Sequence, residues 1–246
     1  MKTTKNLNHY FYLGLCVIFF GCGVGNGNKE GVKTEDSLAN ADMNKTSTIV
    51  DSTLNNTKEY KAVTISNQTW MVENLNVNVF LNGDTIPEAK SVNDWISASK
   101  NEQAAWCYYD NTISDGQSLG KLYNWYAVND KRGLVPEGWR VPSKADFSQL
   151  IENMGGEKLA GAKLKSVNIW SEKGKGTNES GFTALPSGMR QFNGGFSNKT
   201  DYSYLWSSTD RVKDNAWYFG LSDKNAIAKT FFSQKGNGFS IRCIKK

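Results

Sequence analysis

All eight tryptophans of this 246-residue chain lie between residues 60 and 246, and residues 23–58 contain no aromatic residue at all. Large aromatic rings supply much of the buried area that a core needs. A segment without them, here GVGNGNKEGVKTEDSLANADMNKTSTIVDSTLNNTK, cannot bury enough apolar surface to offset the entropy of ordering it. The chain therefore divides into a disordered polar tether, residues 22–58, and one folding unit, residues 59–246, long enough for a sizeable core. As a flexible coil the tether spans about 30–35 Å r.m.s..

Before the tether, Lys2 and Lys5 precede an apolar run of 11 residues, Tyr10 to Phe20. A helix of that length rises about 16 Å, half of a hydrocarbon core, so the run fits the central part of a signal peptide better than a membrane span. Phe19-Phe20-Gly21-Cys22 resembles a bacterial lipobox, with Phe19 where leucine is usual. Residues 1–21 are thus expected to be removed and Cys22 to carry the lipid, a stable anchor to the membrane without a transmembrane helix. Gly23, not aspartate, follows the cysteine. By resemblance to the sorting rule of Gram-negative lipoproteins, that favours the outer membrane of the cell envelope.

Cleavage there changes the chemistry that is possible. The only histidine is His9, so the mature 225 residues contain none. Ser-His-Asp and Cys-His mechanisms are excluded, as are histidine-ligated zinc, iron and copper sites. Lys2 and Lys5 leave with no acid, so the net charge falls from +5 to +3. That is too mild, and too scattered, to argue for nucleic acid. Neither a cofactor nor a metal is called for. Cys107 and Cys243 are the two cysteines of the folding unit. In an exported chain the simplest expectation is that they form a disulfide.

The local pattern predicts short elements and no long helix. Tyr60–Ile65 alternates as a strand, with a turn at Asn67-Gln68 and a further alternating stretch from Trp70 to Phe80. Ser91–Ser99 is a short helix around Trp95. The clearest helix runs from Pro142 to Met154, with Ser143 as N-cap, Asp146 three residues on, an apolar stripe of Phe147, Leu150, Ile151 and Met154, and Gly155-Gly156 as its stop. A second covers Glu157–Ser166. Phe182–Leu185, Gly188–Arg190, Tyr204–Ser208, Asn215–Ser222, Ala226–Phe232 and Phe239–Ile244 read as strands. Strands at both ends around one or two short helices make an α+β domain of mixed or antiparallel strands.

Residues 63–76 (VTISNQTWMVENLN), 120–150, 161–190, 206–208 (WSS) and 238–243 (GFSIRC) resemble the FISUMP domain, the "Fibrobacter succinogenes major paralogous" domain. That resemblance implies a secreted protein or lipoprotein and a distant kinship with the C-type-lectin-like fold of sulfatase-modifying domains. The segment GWRVPSKADF (138–147) is similar to the strand-to-helix entry of that group, and 238–243 to its closing strand. Such a fold pairs the N- and C-terminal strands in one sheet. The copper-holding cysteine pair of formylglycine-generating enzymes is missing, since only Cys243 lies in the C-terminal half, so that activity is not carried over. The Glu-Pro-Asn, Gln-Pro-Asp and Trp-Asn-Asp strings of calcium-dependent lectins are absent too. Asp110–Gly116 has oxygen ligands of the type that suits calcium, but its spacing is not an EF-hand and it reads as a surface turn.

In lectin-like folds the ligand sits in the long loop region at the stage corresponding to residues 190–215. There Tyr202 and Tyr204 are candidates to stack on sugar faces, with Asp201, Asp210, Arg211 and Asn215 as hydrogen-bonding partners. Trp206 reads as core. Glu137, Glu179 and Asp214 are the carboxylates that a glycoside hydrolase would need, yet their setting is that of solvated acids. The expectation is a non-enzymatic, lipid-anchored envelope protein whose head binds a glycan or an envelope protein. The alternative is an assembly subunit of a surface complex, and after it a carboxylate-based carbohydrate-active enzyme. The anchor has a direct test. Labelled fatty acid fed to producing cells is expected to enter the wild-type chain and to be lost completely from Cys22→Ser; label that persists in the variant would place any lipid elsewhere.

Overall fold

In the computed structural model, residues 59–171 and 174–246 are described; the signal segment, Cys22 and the tether expected over residues 1–58 lie outside them. The first strands, β1 (Ala62–Ile65) and β2 (Gln68–Met71), form a hairpin through Ser66, whose φ of 56° closes the turn. Next come α1 (Val92–Lys100), β3 (Trp106–Cys107), α2 (Ile113–Leu119), β4 (Leu122–Tyr123), α3 (Trp125–Val128) and β5 (Trp139–Arg140). Then α4 (Lys144–Asn153) and α5 (Glu157–Leu164) are followed by β6 (Ser187–Arg190), β7 (Phe196–Lys199), β8 (Tyr202–Val212), β9 (Asn215–Ser222), β10 (Ala228–Gln234) and β11 (Ile244–Lys245). The fold is α+β and its named strand pairs are antiparallel.

The two ends of the folding unit share one sheet, of order β1-β2-β11-β5. Closure is through β2, where Ile244 faces Trp70, so the C-terminal strand pairs one strand in from β1. A second sheet, β10-β9-β8, stands apart, with β3-β4 and β6-β7 as two-stranded ribbons. The expected helix at Ser143 forms as a full capping box. Asp146 N–H donates to Ser143 Oγ, and Ser143 N–H donates back to the Asp146 carboxylate at 2.6 Å. Arg140 adds two hydrogen bonds to that carboxylate, at 2.6 and 2.8 Å. Burial alone would raise the Asp146 pKa; the bonds from Arg140 and Ser143 outweigh it and hold the group at about 2. The helix buries Phe147, Leu150 and Ile151, and Phe147 stacks on Phe219 of β9 at 4.9 Å.

Several expected strands are not ladders. The one expected over Trp70–Phe80 stops at Met71, and the one over Phe239–Ile244 survives as isolated bridges and β11. Their backbone groups go to scattered partners instead: Leu75 N–H to Ile241 C=O, and Phe239 N–H to Tyr123 C=O. Among the described residues five short α-helices stand: the three expected around Trp95, after Ser143 and after Gly156, then α2, which overlaps the stretch Asp110–Gly116 that reads as a turn, and α3, for which the sequence offers no expectation. The expected Cys107–Cys243 crosslink is not formed either. Both thiols are free and buried, and they belong to different core clusters: Cys107 beside Trp95 and Leu122, Cys243 with Met71, Tyr123 and Ile241.

Two guanidinium groups sit at the centre of this loop-rich packing. Arg242 and Arg190 are each 0% exposed. Arg242 donates to the carbonyls of Met71, Phe182 and Thr183 and to Asn74 Oδ1, tying residues 71–74 and 182–183 to the C-terminal segment. Arg190 donates to the carbonyls of Ala89, Lys90, Ser91 and Gly194. Burial pulls the Arg242 guanidinium down to about 9, and the nearby Cys243 and Glu73 offset part of that. Each buried acceptor left without a donor costs about 1–3 kcal/mol. Arg242→Met is therefore expected to lower the free energy of urea unfolding by about 3 kcal/mol or more, with Lys245→Met, an exposed control, near zero. A loss for Arg242→Met no larger than that of the control would mean that the carbonyls find other donors.

Candidate functional site

β8 is 11 residues long and separates the expected ligand residues rather than gathering them. Asp201, Tyr202 and Tyr204 lie at its start, whereas Asp210 and Arg211 lie at its end and Asn215 opens β9. At about 3.3 Å per residue, Tyr202 and Arg211 are about 30 Å apart. Tyr204 is not an exposed platform. It is 8% exposed, stacks on Phe239 at 4.9 Å, and its hydroxyl accepts from Asn198 Nδ2. Burial pushes its phenol pKa up. Half-buried Tyr202 stacks on Tyr204 in turn. Asp201 accepts a hydrogen bond from Thr200.

The far end of β8 has a different character. The register of β9 and β10 sets Phe232 opposite Trp217, with ring centroids 6.0 Å apart and edge to face. Arg211 lies 3.3 Å over the Phe232 ring and 5.6 Å from Trp217. Lys144, the first residue of α4, lies 3.7 Å over Trp217. Its place is fixed by its neighbours: Lys144 N–H donates to Thr209 Oγ1 at 2.9 Å, and Ser208 N–H to Pro142 C=O at 2.9 Å. The helix entry is thereby tied to β8. Asp210 is taken up by Lys235 at 3.0 Å, so Arg211 has no competing acid from its neighbour's side chain. Phe232 is 48% exposed and Val212 54%. Half-buried Asn215, opposite Val212, closes the tip. A hollow of about 530 Å³ along the outer face of α4, lined by Lys144, Ser148, Gln149 and Glu152, begins beside it.

This surface offers two cations seated on two aromatic rings, an arrangement that each side of the pair favours. It has no nucleophile and no acid–base pair. It suits an anionic ligand that also presents an apolar face. Of its members, sequence reasoning found Arg211, Asp210 and Asn215 and missed Lys144, Trp217 and Phe232. A signal existed: with β9 and β10 as neighbours across a short turn, hairpin counting alone sets Trp217 against Phe232.

The other candidates are dispersed or already engaged. Glu179 pairs with Lys163 at 3.4 Å, and Glu137 and Asp214 are exposed on separate loops. Asp110–Gly116 forms a 3-10 turn and the start of α2, and Asp115 pairs with Lys199 at 2.6 Å. Among the described residues no group of three His, Cys, Asp or Glu side chains is placed to hold a metal ion. A groove of about 750 Å³ between α1 and residues 130–132 has an acidic rim, but Asp130 is bound by Arg132 at 2.8 Å and Asp94 caps α1.

Comparison with known proteins gives one match. The family described as the Fibrobacter succinogenes major domain covers residues 63–245. No curated protein and no solved structure matches the chain. The thiols remain as reactive groups. Burial raises the pKa of both to about 12; Arg190 beside Cys107 and Arg242 beside Cys243 offset only part of that. A thiol titrating so high is almost wholly protonated at neutral pH and a poor nucleophile. Alkylation at pH 8 is expected to spare Cys107 and Cys243 in the native protein and to label both in denaturant. Recovery of a Cys107–Cys243 crosslinked peptide under non-reducing conditions would contradict this.

Proposed function

The chain belongs to the Fibrobacter succinogenes major domain family, and from that premise and the surface just described we propose that it is a lipid-anchored outer-membrane envelope protein with a non-catalytic binding head. The head takes a C-type-lectin-like fold, a reading supported by the return of β11 to the sheet of β1 and β2. Its ligand is a glycan carrying carboxylate or sulfate groups. One observation carries this: Arg211 and Lys144 each lie over an aromatic ring at the tip of β8–β9. The guanidinium makes paired hydrogen bonds to a carboxylate or sulfate, and the edges of Trp217 and Phe232 meet the apolar face of a sugar. Two thiols that stay protonated and carboxylates that stay apart support a head that binds without turnover.

An array of neutral and acidic glycans probed with the full chain tests this. Acidic glycans are expected to bind, more weakly at high salt. Arg211→Ala with Trp217→Ala is expected to weaken binding at least tenfold while leaving the melting temperature close to that of the wild type. Binding that is indifferent to this pair would move the ligand elsewhere, and hydrolysis of any bound glycan by the pure protein would overturn the non-catalytic reading.

A further inference from the structure

The two edges of the three-stranded sheet are treated differently. The β8 edge is covered: Trp206 N–H donates to Ser240 C=O, Ser240 N–H to Tyr204 C=O, and Ser208 N–H to Pro142 C=O. The β10 edge is open. Lys235 N–H donates to Asp214 C=O at 2.9 Å, in register with the seven continuous pairs of β10 and β9. Hydrogen-bonded pairs alternate along an antiparallel ladder. Residues 229, 231 and 233 therefore bond inward to β9, and the backbone groups of Ala228, Thr230, Phe232 and Gln234 point away from the sheet. Of these, the Gln234 carbonyl is taken by Asn237 N–H and Ala228 is 0% exposed, so Thr230 and Phe232 carry the open backbone groups.

Sheet edges are ordinarily protected by proline, bulges or several charges. β10 (AKTFFSQ) has no proline, no bulge and a single charge, Lys229. Its Phe231 and Phe232 are 43% and 48% exposed, and Leu159 of α5, at 58%, and Ile227, at 42%, lie beside it. The α5 helix is held there by Gly161 N–H on Ala226 C=O and by Glu157 with Lys229.

We propose that this edge pairs with the same edge of a second copy of the chain, antiparallel, about a two-fold axis through Phe231. The register is selected by charge and overlap. Centred on Phe231, the open stretch Lys229–Ser233 is paired throughout: Phe231 faces its own counterpart, Thr230 faces Phe232 and Lys229 faces Ser233. The outward amides and carbonyls of residues 230 and 232 then meet each other, and no charge faces a like charge. Centred on Phe232, Lys229 would face Lys235, which is unfavourable. Centred on Thr230, Ser233 and Gln234 run off onto the turn before β10. The contact joins two three-stranded sheets into one of six strands. It is smaller than a standard stable interface, so it works where copies are concentrated, as on a shared membrane surface. It rests on the lipid-anchored reading for that concentration and not on the glycan reading, although Phe232 belongs to both surfaces.

Cysteine crosslinking of the full chain in the membranes of producing cells tests the register directly. Residues facing each other in a pair that is not hydrogen-bonded have Cβ atoms about 4.5–5.5 Å apart, close enough to join. Phe231→Cys is expected to give at least ten times more covalent dimer than Lys229→Cys, whose counterpart lies four residues along the partner strand. Adding Thr230→Pro, at a position whose amide is not used within the fold, is expected to abolish the Phe231→Cys dimer. Absence of that dimer, equal yields from the two cysteine variants, a dimer that survives Thr230→Pro, or a crosslink to a protein of another mass would each overturn the proposal.

Discussion

The structure depends on cations held inside it by carbonyl oxygens and aromatic faces. Among the described residues five basic side chains are buried: Lys121, Lys165, Arg190, Lys235 and Arg242. Each lies over a ring: Lys121 over Trp106, Lys165 over Trp170, Arg190 over Trp95, Lys235 over Trp125 and Arg242 over Phe182, at 4.3–5.1 Å. Each also gathers backbone oxygens from loops. Lys165 donates to Ser222 C=O and Asn225 C=O, both at 3.0 Å, and so holds the turn between β9 and β10. Lys121 donates to Asn76 C=O, and Lys235 to Lys213 C=O. A fold with so few long ladders leaves many buried carbonyls without a regular partner, and these must be satisfied. A guanidinium or ammonium supplies several donors from one point, and the ring beneath it offsets part of the desolvation cost. The same need is met elsewhere by tryptophan N–H groups: Trp95 donates to Gly236 C=O, Trp125 to Ser207 C=O and Trp206 to Tyr123 C=O.

This explains what the sequence showed and what it hid. Legible features were those carried by neighbours in the chain. The Ser143–Asp146 box, the Phe147–Leu150–Ile151 stripe and the limits of β9 are local patterns, and they survive folding because local hydrogen bonds satisfy them. The aromatic richness of residues 60–246 announced a core, and Trp70, Trp125, Trp170 and Trp206 are buried in it, while Trp139 is half-buried. Hidden features were those that need a distant partner. Nothing in the local pattern of residues 158–165 marks Lys165 as interior, yet it is 3% exposed, because its carbonyl partners lie some 57–60 residues further along the chain. A strand over Trp70–Phe80 was a fair reading of alternation, but Asn74 and Asn76 turn their side chains to Leu119 C=O and Gly116 C=O, and the ladder ends.

The candidate site follows the same division. A contiguous stretch, residues 201–215, looked like one loop. As a single 11-residue strand it carries its two ends to opposite sides of the sheet. The residues that meet at the tip come from β8, β9, β10 and the start of α4. Only sheet register and the tie from Lys144 to Thr209 bring them together. Composition and spacing have no access to that tie.

The internal cations also alter what the net charge means. Among the described residues five Lys and Arg side chains are buried and no Asp or Glu is. Residues 59–246 hold 23 Lys and Arg against 19 Asp and Glu, a net +4. With the five interior cations removed from that sum, the remaining charged side chains of these residues come to −1. The sequence therefore suggests a mildly basic folding unit, while the charge it presents outside its core is close to neutral. A long-range positive field, which steers nucleic acid and other polyanions, is absent. Against such a background, Arg211 and Lys144 act over the few ångströms of direct contact, within a Debye length. Recognition there must rest on the geometry of two cations and two rings.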